Sequence, residues 1–88
     1  MTADGYRVAF AALLKWNERA MARGGTSTET VARVNRAIVA VCRLRPESLI
    51  SGAPNRVVGT EIWWTAEVDH ERRMIRIVHL EPELRPGL

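Results

Sequence analysis

The feature that most constrains the fold is the last third of the chain, where apolar and polar residues alternate on both sides of a polar turn. This segment spans residues 56–80 and has the sequence RVVGTEIWWTAEVDHERRMIRIVHL. Alternation with a period of two is typical of half-buried strands. The polar residues 69–72 predict a hairpin connection, and residues 56–59 predict a short strand before it, in which Gly59 marks a bulge or turn.

Side-chain parity along the hairpin predicts two faces. The first long strand places one apolar set on one face, namely Ile62, Trp64, Ala66 and Val68. Its other face carries Trp63, Thr65 and Glu67. In the final strand we assign to the helix-covered side Ile75, Ile77 and His79, and to the other side Met74, Arg76, Val78 and Leu80. We expect His70, in the turn, to be solvated.

The first half of the chain predicts a strand and two helices. Residues 6–10 predict a strand with Tyr6, Val8 and Phe10 on one face. Apolar residues then recur at helical spacing, which predicts a first helix whose buried stripe is Phe10, Leu13, Leu14, Asn17 and Met21. We expect the Gly24–Gly25 pair to stop this helix.

A second helix follows after a short loop. Thr26 and Glu29 have the spacing of a capping box, and Pro46 ends the helix. Its apolar stripe is Val31, Val34, Ile38, Val41 and Cys42. Two helices joined by a short loop predict a helical hairpin that packs on the sheet.

Composition limits the class of protein. Eighty-eight residues suit a single domain over 1–88, in which we expect 1–5 and 82–88 to be flexible tails. No apolar run reaches the roughly 18 residues of a membrane span, and no signal peptide is evident. The single cysteine, Cys42, fits a reducing cytoplasm, and we expect a buried structural thiol. The sequence contains neither a metal-ligand spacing nor a phosphate loop, so no metal or cofactor is predicted.

The net charge of +3 is unevenly distributed. Residues 1–45 carry eight basic and three acidic side chains, whereas residues 46–88 carry five basic and seven acidic ones. The positive excess therefore lies in the helical half and not in the sheet half. A moderately basic chain can meet nucleic acid or an acidic protein partner.

The order strand–helix–helix–three strands resembles the RelE/ParE superfamily of bacterial toxins. The sharpest matches are Arg56-Val57-Val58-Gly59-Thr60, Glu67-Val68-Asp69 and Met74-Ile75-Arg76-Ile77-Val78-His79. The resemblance covers residues 6 to about 80, nearly the whole chain. It implies an α+β fold, β-α-α-β-β-β, with the helical hairpin packed on a small, mainly antiparallel sheet.

The resemblance also implies a function. Such a protein would be the toxin of a type II toxin–antitoxin pair, silenced by a cognate antitoxin. RelE-type members cut mRNA on the ribosome without a metal, whereas ParE-type members poison DNA gyrase. The fold does not choose between these targets.

Three residues match functional positions of the family. Arg56 matches the arginine that opens the second strand, Arg76 matches the basic residue inside the last strand, and His79 matches the histidine near the end of that strand. The resemblance implies that the arginines bind RNA phosphate and that His79 assists proton transfer. Read from the residues alone, Arg56 is an exposed strand-end arginine and Arg76 is neutralised by Glu67 across the hairpin. On the same reading His79 is a satisfied, partly buried histidine.

Three further residues are candidates for partner or RNA contacts. Trp63, on the open face, could stack on a base or anchor an antitoxin. Arg72 and Arg73 lie in the hairpin turn, where solvated turn charges are the simpler interpretation. The stretch Leu80-Glu81-Pro82-Glu83 departs from the family because active members tend to carry basic residues or tyrosine there.

Two alternatives to a toxin stay open. One is a non-catalytic protein-interaction module with the same fold, held through Trp63 and the sheet edge. The other is nucleic-acid binding through the helix arginines, which are Arg19, Arg23, Arg33, Arg36, Arg43 and Arg45. Those arginines are spread around their helices, so solvated helix faces are the favoured interpretation.

Overall fold

The computed structural model describes residues 5–23 and 26–81, which contain two α-helices, one short 3-10 helix and four strands. In chain order they are β1 (Arg7–Ala9), α1 (Ala11–Arg23), α2 (Thr28–Leu44), a short 3-10 helix (Pro46–Ser48), β2 (Pro54–Arg56), β3 (Trp63–Asp69) and β4 (Met74–Glu81). The strands form one sheet in the order β1-β4-β3-β2. β1 runs parallel to β4, and the other two pairs are antiparallel.

This architecture confirms the predicted α+β class and the β-α-α-β-β-β order. Gly24, Gly25 and, apart from Gly5, the expected tails lie outside the described residues. No helix within the described ranges is both long and apolar enough to cross a membrane.

The helical hairpin covers one face of the sheet, and the core lies between these two layers. The helices contribute to it Leu13, Trp16, Ala20, Val31, Val34, Ile38 and Cys42. The rest of the chain contributes Leu49, Val57, Trp64, Ala66, Ile75, Ile77 and Leu80. Tyr6, Val8 and Phe10 pack against the cluster from the β1 segment, as parity predicts.

The buried stripe predicted for α1 was wrong in part. Leu13 is buried, but Leu14 and Met21 are each 57% exposed, and the helix instead buries Trp16 and Ala20. Positions 13, 16 and 20 lie on one helix face. Trp16 offers the largest apolar surface of the helix, so its burial decides the rotation. Its indole Nε1 is buried and has no hydrogen-bond partner among the described residues.

Helix α2 begins one residue later than the capping-box spacing predicts. The N-cap is Ser27, not Thr26, and its hydroxyl accepts from the Thr30 backbone N–H at 3.1 Å. Four residues of the predicted apolar stripe are buried, and Val41 is half-buried. The two helices are joined by a reciprocal amide pair, in which Asn17 and Asn35 each donate to the other at 3.0 Å.

The second strand also differs from its prediction. It ends at Arg56 instead of beginning there, and residues 57–60 form the turn that leads to β3. The Val57 carbonyl accepts from both the backbone N–H and the hydroxyl of Thr60, at 3.1 and 2.8 Å. Gly59 takes a φ of +82° in this turn, a conformation that favours glycine, so the prediction of a turn at Gly59 was right.

Candidate functional site on the open face of the sheet

One face of the sheet carries no helix in the described structure, and paired residues arrange its side chains in rows across the strands. We call this surface the open face. The four rows are Arg7–Met74–Asp69, Ala9–Arg76–Glu67, Pro54–Thr65–His79 and Arg56–Trp63–Glu81. These rows hold three arginines and three carboxylates, so with a neutral histidine their formal charges cancel.

His79 belongs to the open face because β4 contains a bulge. Ala66 lies opposite Ile77 and Thr65 lies opposite His79, so Val78 has no partner on β3. An extra residue in one strand reverses the parity of everything after it. The assignment of His79 to the covered side with Ile75 and Ile77 was therefore wrong, and Leu80, placed on the other face by parity, is 5% exposed in the core.

Arg76 is held by a carboxylate across the hairpin. Glu67 lies directly opposite it, and the Arg76 Nε donates to Glu67 Oε1 at 3.0 Å. A second bond runs from Arg76 Nη2 to the same oxygen. Both side chains are more than half exposed, so water screens the pair and its contribution to stability is small. Its main consequence is that the guanidinium charge of Arg76 is already balanced.

His79 also lies beside a carboxylate. Its Nε2 is 3.3 Å from Glu81 Oε2, and the histidine side chain is 45% exposed. An exposed imidazole can take up a proton from bound substrate or release one to it. The arrangement can thus support proton transfer, but it also supplies negative charge where RNA phosphate would approach.

Arg56 braces its own turn. Its Nε donates to the Thr60 carbonyl at 3.0 Å, while the two Nη atoms have no hydrogen-bond or ion-pair partner in the described part of the chain. Arg56 and His79 lie two strands and one row apart, which corresponds to roughly 12 Å between Cα atoms for ~4.8 Å between strands and ~3.3 Å per residue. By strand register Arg56, Arg76 and His79 share one face, and none of the hydrogen bonds or ion pairs found among the described residues joins any two of them.

Trp63 lies between Arg56 and Glu81 in its row and is 41% exposed, whereas Trp64 is 2% exposed in the core. The predicted division of the two tryptophans is confirmed. A half-exposed indole beside a guanidinium can stack on a base or fill a pocket in a partner protein.

The two turn arginines differ in their surroundings. Arg72 lines a cleft of about 440 Å³ at the hairpin end of the open face, together with Arg7, Arg76, Glu67, Asp69 and Met74. It lies 4.0 Å from Asp69 in a largely exposed pair. Arg73 has a φ of +56°, and its carbonyl accepts from the Arg7 N–H at 2.9 Å, so its backbone joins the hairpin turn to β1.

His70 is exposed, as expected for a turn residue, but it is not merely solvated. The Leu49 carbonyl lies 2.8 Å from its Nε2, and the Tyr6 hydroxyl lies 2.7 Å from its Nδ1. A carbonyl only accepts, so Nε2 carries the proton, and in the neutral ring Nδ1 then accepts from Tyr6. His70 joins the start of β1, the hairpin turn and the segment before β2. No sequence pattern could show this, because its partners are 64 and 21 residues away.

Residues 5–23 and 26–81 contain neither a metal-binding cluster nor a reactive cysteine. No group of three or more potential ligands could hold a metal ion in that part of the chain. Cys42 is buried, as predicted, and burial raises its pKa to about 11. A thiol held in its neutral form is a poor nucleophile.

Comparison with known proteins gives no relative. No family model, no curated protein and no solved structure matches this chain.

Proposed function

We propose that this chain is the toxin of a type II toxin–antitoxin pair, with the open face as the surface that meets the target. The observation that carries the proposal is the location of Arg56, Arg76 and His79. These are the three residues that match functional positions of RelE/ParE toxins, and by strand register all three belong to the one face that the helices leave uncovered, with Arg56 at its β2 edge. The β4 bulge is what brings His79 there.

Two targets fit this surface. In an mRNA interferase, Arg56 and Arg76 would bind phosphate oxygens and Trp63 would stack on a base. His79 would move a proton at the scissile bond, and no metal would be needed. In a gyrase poison, the same face would dock on protein, for which a row containing both charges and an exposed tryptophan is suitable. The proposal includes a cytoplasmic location and neutralisation by a cognate antitoxin.

The test is tightly controlled expression in a bacterial host, with and without the neighbouring open reading frame. Growth arrest that the neighbour relieves is the expected result. The double variant Arg56→Ala/His79→Ala should grow normally if the protein cleaves RNA. A matched control, Arg36→Ala/Arg43→Ala, truncates two exposed side chains of α2, away from the open face. Arrest that persists in the double variant would exclude the assigned site.

A second assay separates the targets. Primer extension on ribosome-bound mRNA reports cleavage, and a supercoiling assay with purified gyrase reports poisoning. Cleavage without gyrase inhibition identifies the interferase, and the reverse pattern identifies the gyrase poison.

A non-catalytic interaction module is the second candidate, and one observation favours it. Arg76 and His79 each lie beside a carboxylate of their own chain, Glu67 and Glu81, and the charges of the rows cancel. RNA binding depends on neutralising phosphates with unpaired cations. A surface whose charges are already balanced therefore suits contact with a protein better than contact with RNA. Normal growth at confirmed expression, with a tight complex formed by the neighbouring gene product, is the result expected of such a module.

A further inference from the structure

An apolar groove lies on the side of the sheet opposite to the open face, between the second half of α2 and the edge strand β2. It encloses about 300 Å³. Its apolar walls include Ala37, Val41 and Leu44 from α2 and Val58 from the turn after β2. We call it the α2–β2 groove.

The groove holds the two most exposed large apolar side chains of the described residues. Leu44 is 78% exposed and Val58 is 86% exposed. Positions 37, 41 and 44 repeat at helical spacing, so α2 carries a second apolar stripe beside the one it buries against the core. A helix that is apolar on two sides is usually covered on both. Contiguous apolar side chains at a concave surface mark an interaction site.

The rim of the groove is basic. Arg45 lines it from the end of α2. Arg56 belongs by register to an open-face row, but it lies on the edge strand and its side chain also lines the groove. Among the described residues no carboxylate lines the groove. At the Gly59 turn, Arg33 Nη1 lies 3.0 Å from the point where a Cβ on Gly59 would be, so a third guanidinium stands near that end. Arginines around an apolar centre complement a segment with apolar residues and flanking carboxylates.

The β2 edge is poorly suited to pairing with another strand. The Val57 N–H donates to the Ile62 carbonyl of the neighbouring segment, so by alternation Pro54 and Arg56 point their backbone groups outward. Proline has no N–H to offer, and it blunts an exposed edge. Side-chain contacts along α2 therefore dominate the surface, which favours a helix as the occupant.

We propose that the α2–β2 groove binds an acidic amphipathic helix of a partner protein. The apolar face of that helix would cover Leu44 and Val58, and its carboxylates would pair with Arg45 and Arg56. This inference rests on the proposed function only in assuming that the protein works through a protein partner. It needs neither toxicity nor catalysis.

The test uses a displayed library of amphipathic helical peptides whose flanking positions are randomised, selected against the full chain. Selected peptides should carry Asp and Glu at the flanks. Their affinity should fall about tenfold or more for Leu44→Glu and for Val58→Glu, because each change removes apolar contact and adds repulsion. The matched control is Ile50→Glu, since Ile50 is 70% exposed but lies outside the groove. The affinity of the selected peptides for the Ile50→Glu variant should equal their affinity for the unmodified chain.

Other outcomes would overturn the inference. Peptides with basic flanks, or binding that is insensitive to Leu44→Glu and Val58→Glu, would place the contact elsewhere. A dimer in sedimentation equilibrium that Leu44→Glu dissociates would mean that a second copy fills the groove. Circular dichroism and thermal melts verify that each variant is folded. The growth assay is a separate measurement. If expression of the unmodified chain causes no growth arrest but the selected peptides still bind, the toxin proposal is rejected and the groove proposal stands.

Discussion

Thr65 lies opposite His79 across the β3–β4 ladder, whereas its neighbour Ala66 lies opposite Ile77. Val78 is thus the extra residue of a bulge. Deleting Val78 would restore a regular ladder without moving His79 or Leu80 to the other face, so we expect the free energy of unfolding to fall by less than about 1 kcal/mol. Urea denaturation measures this.

Deleting Glu67, from the regular part of β3, is the matched control for the bulge. That deletion shifts the register on one side of the gap, which moves either Val68 or the pair Trp64 and Ala66 off the covered face, and Trp64 and Ala66 are 2% and 1% exposed. We expect a loss of roughly 2–5 kcal/mol, as for removal of a buried large side chain. Equal costs for the two deletions would show that Val78 is part of the regular ladder.

The bulge also shows where sequence reasoning stops. Parity was right along β3, where Trp64 and Ala66 alternate with polar residues, because that strand has an unambiguous apolar face. It was wrong at the end of β4, where Val78 and Leu80 are as apolar as Ile75 and Ile77, so no polar residue marks the break in alternation. The order of helices and strands along the chain was predictable from the order of periodic segments, whereas the strand order in the sheet was not. The face of the sheet on which His79 lies was not predictable, because it depends on the one unpaired residue, Val78.

The same reasoning applies to the helices. The stripe of α2 was predictable because its branched aliphatic residues repeat at one spacing with arginines between them. In α1 the apolar residues surround more of the helix, and tertiary packing chose Trp16 and Ala20 over Leu14 and Met21. Contacts between distant segments, such as that of Tyr6 with His70, leave no local pattern at all.

The Tyr6–His70–Leu49 connection should stabilise the fold measurably. Tyr6→Phe removes only the hydroxyl bond to the ring, for which we expect a cost of about 0.5–1.5 kcal/mol. His70→Ala removes both bonds and the edge-on ring contact at 5.7 Å, so its cost should be larger. In a His70→Ala background, Tyr6→Phe should then cost close to nothing. Undiminished cost in that background would show that the two residues act independently, and Glu71→Ala serves as the control for a turn substitution.

Cys42 predicts a change of stability at alkaline pH. Burial raises its pKa from 9.0 to about 11, so the unfolded chain loses the thiol proton first. The stabilisation is therefore complete below pH 9 and is lost as the pH rises towards 11. Between about pH 8 and about pH 10.5 the contribution of Cys42 to the unfolding free energy should fall by roughly 2 kcal/mol.

The measurement for Cys42 is guanidinium denaturation of the wild type and of Cys42→Ala at both pH values. Every other side chain is present in both proteins, so contributions from the rest of the molecule cancel in the difference. The alanine variant should be less stable at the lower pH because of the cavity it creates, and the gap should narrow at the higher pH. A constant gap would mean that the folded thiol ionises as readily as the unfolded one.

The Arg76–Glu67 pair separates the RNA-binding and protein-binding interpretations of the open face. Glu67→Gln removes the balancing charge, and since both side chains are mostly exposed the stability should change by less than about 0.5 kcal/mol. If the face binds RNA, the freed guanidinium should raise the affinity for a single-stranded oligonucleotide. The slope of log K against log salt should steepen by about 0.7. Glu18→Gln on α1 makes the same change of net charge on the helical layer. Fluorescence anisotropy measures the affinity of both variants for the oligonucleotide. An equal rise in affinity in both would show that overall charge is the cause, whereas a rise confined to Glu67→Gln would locate the RNA contact at Arg76.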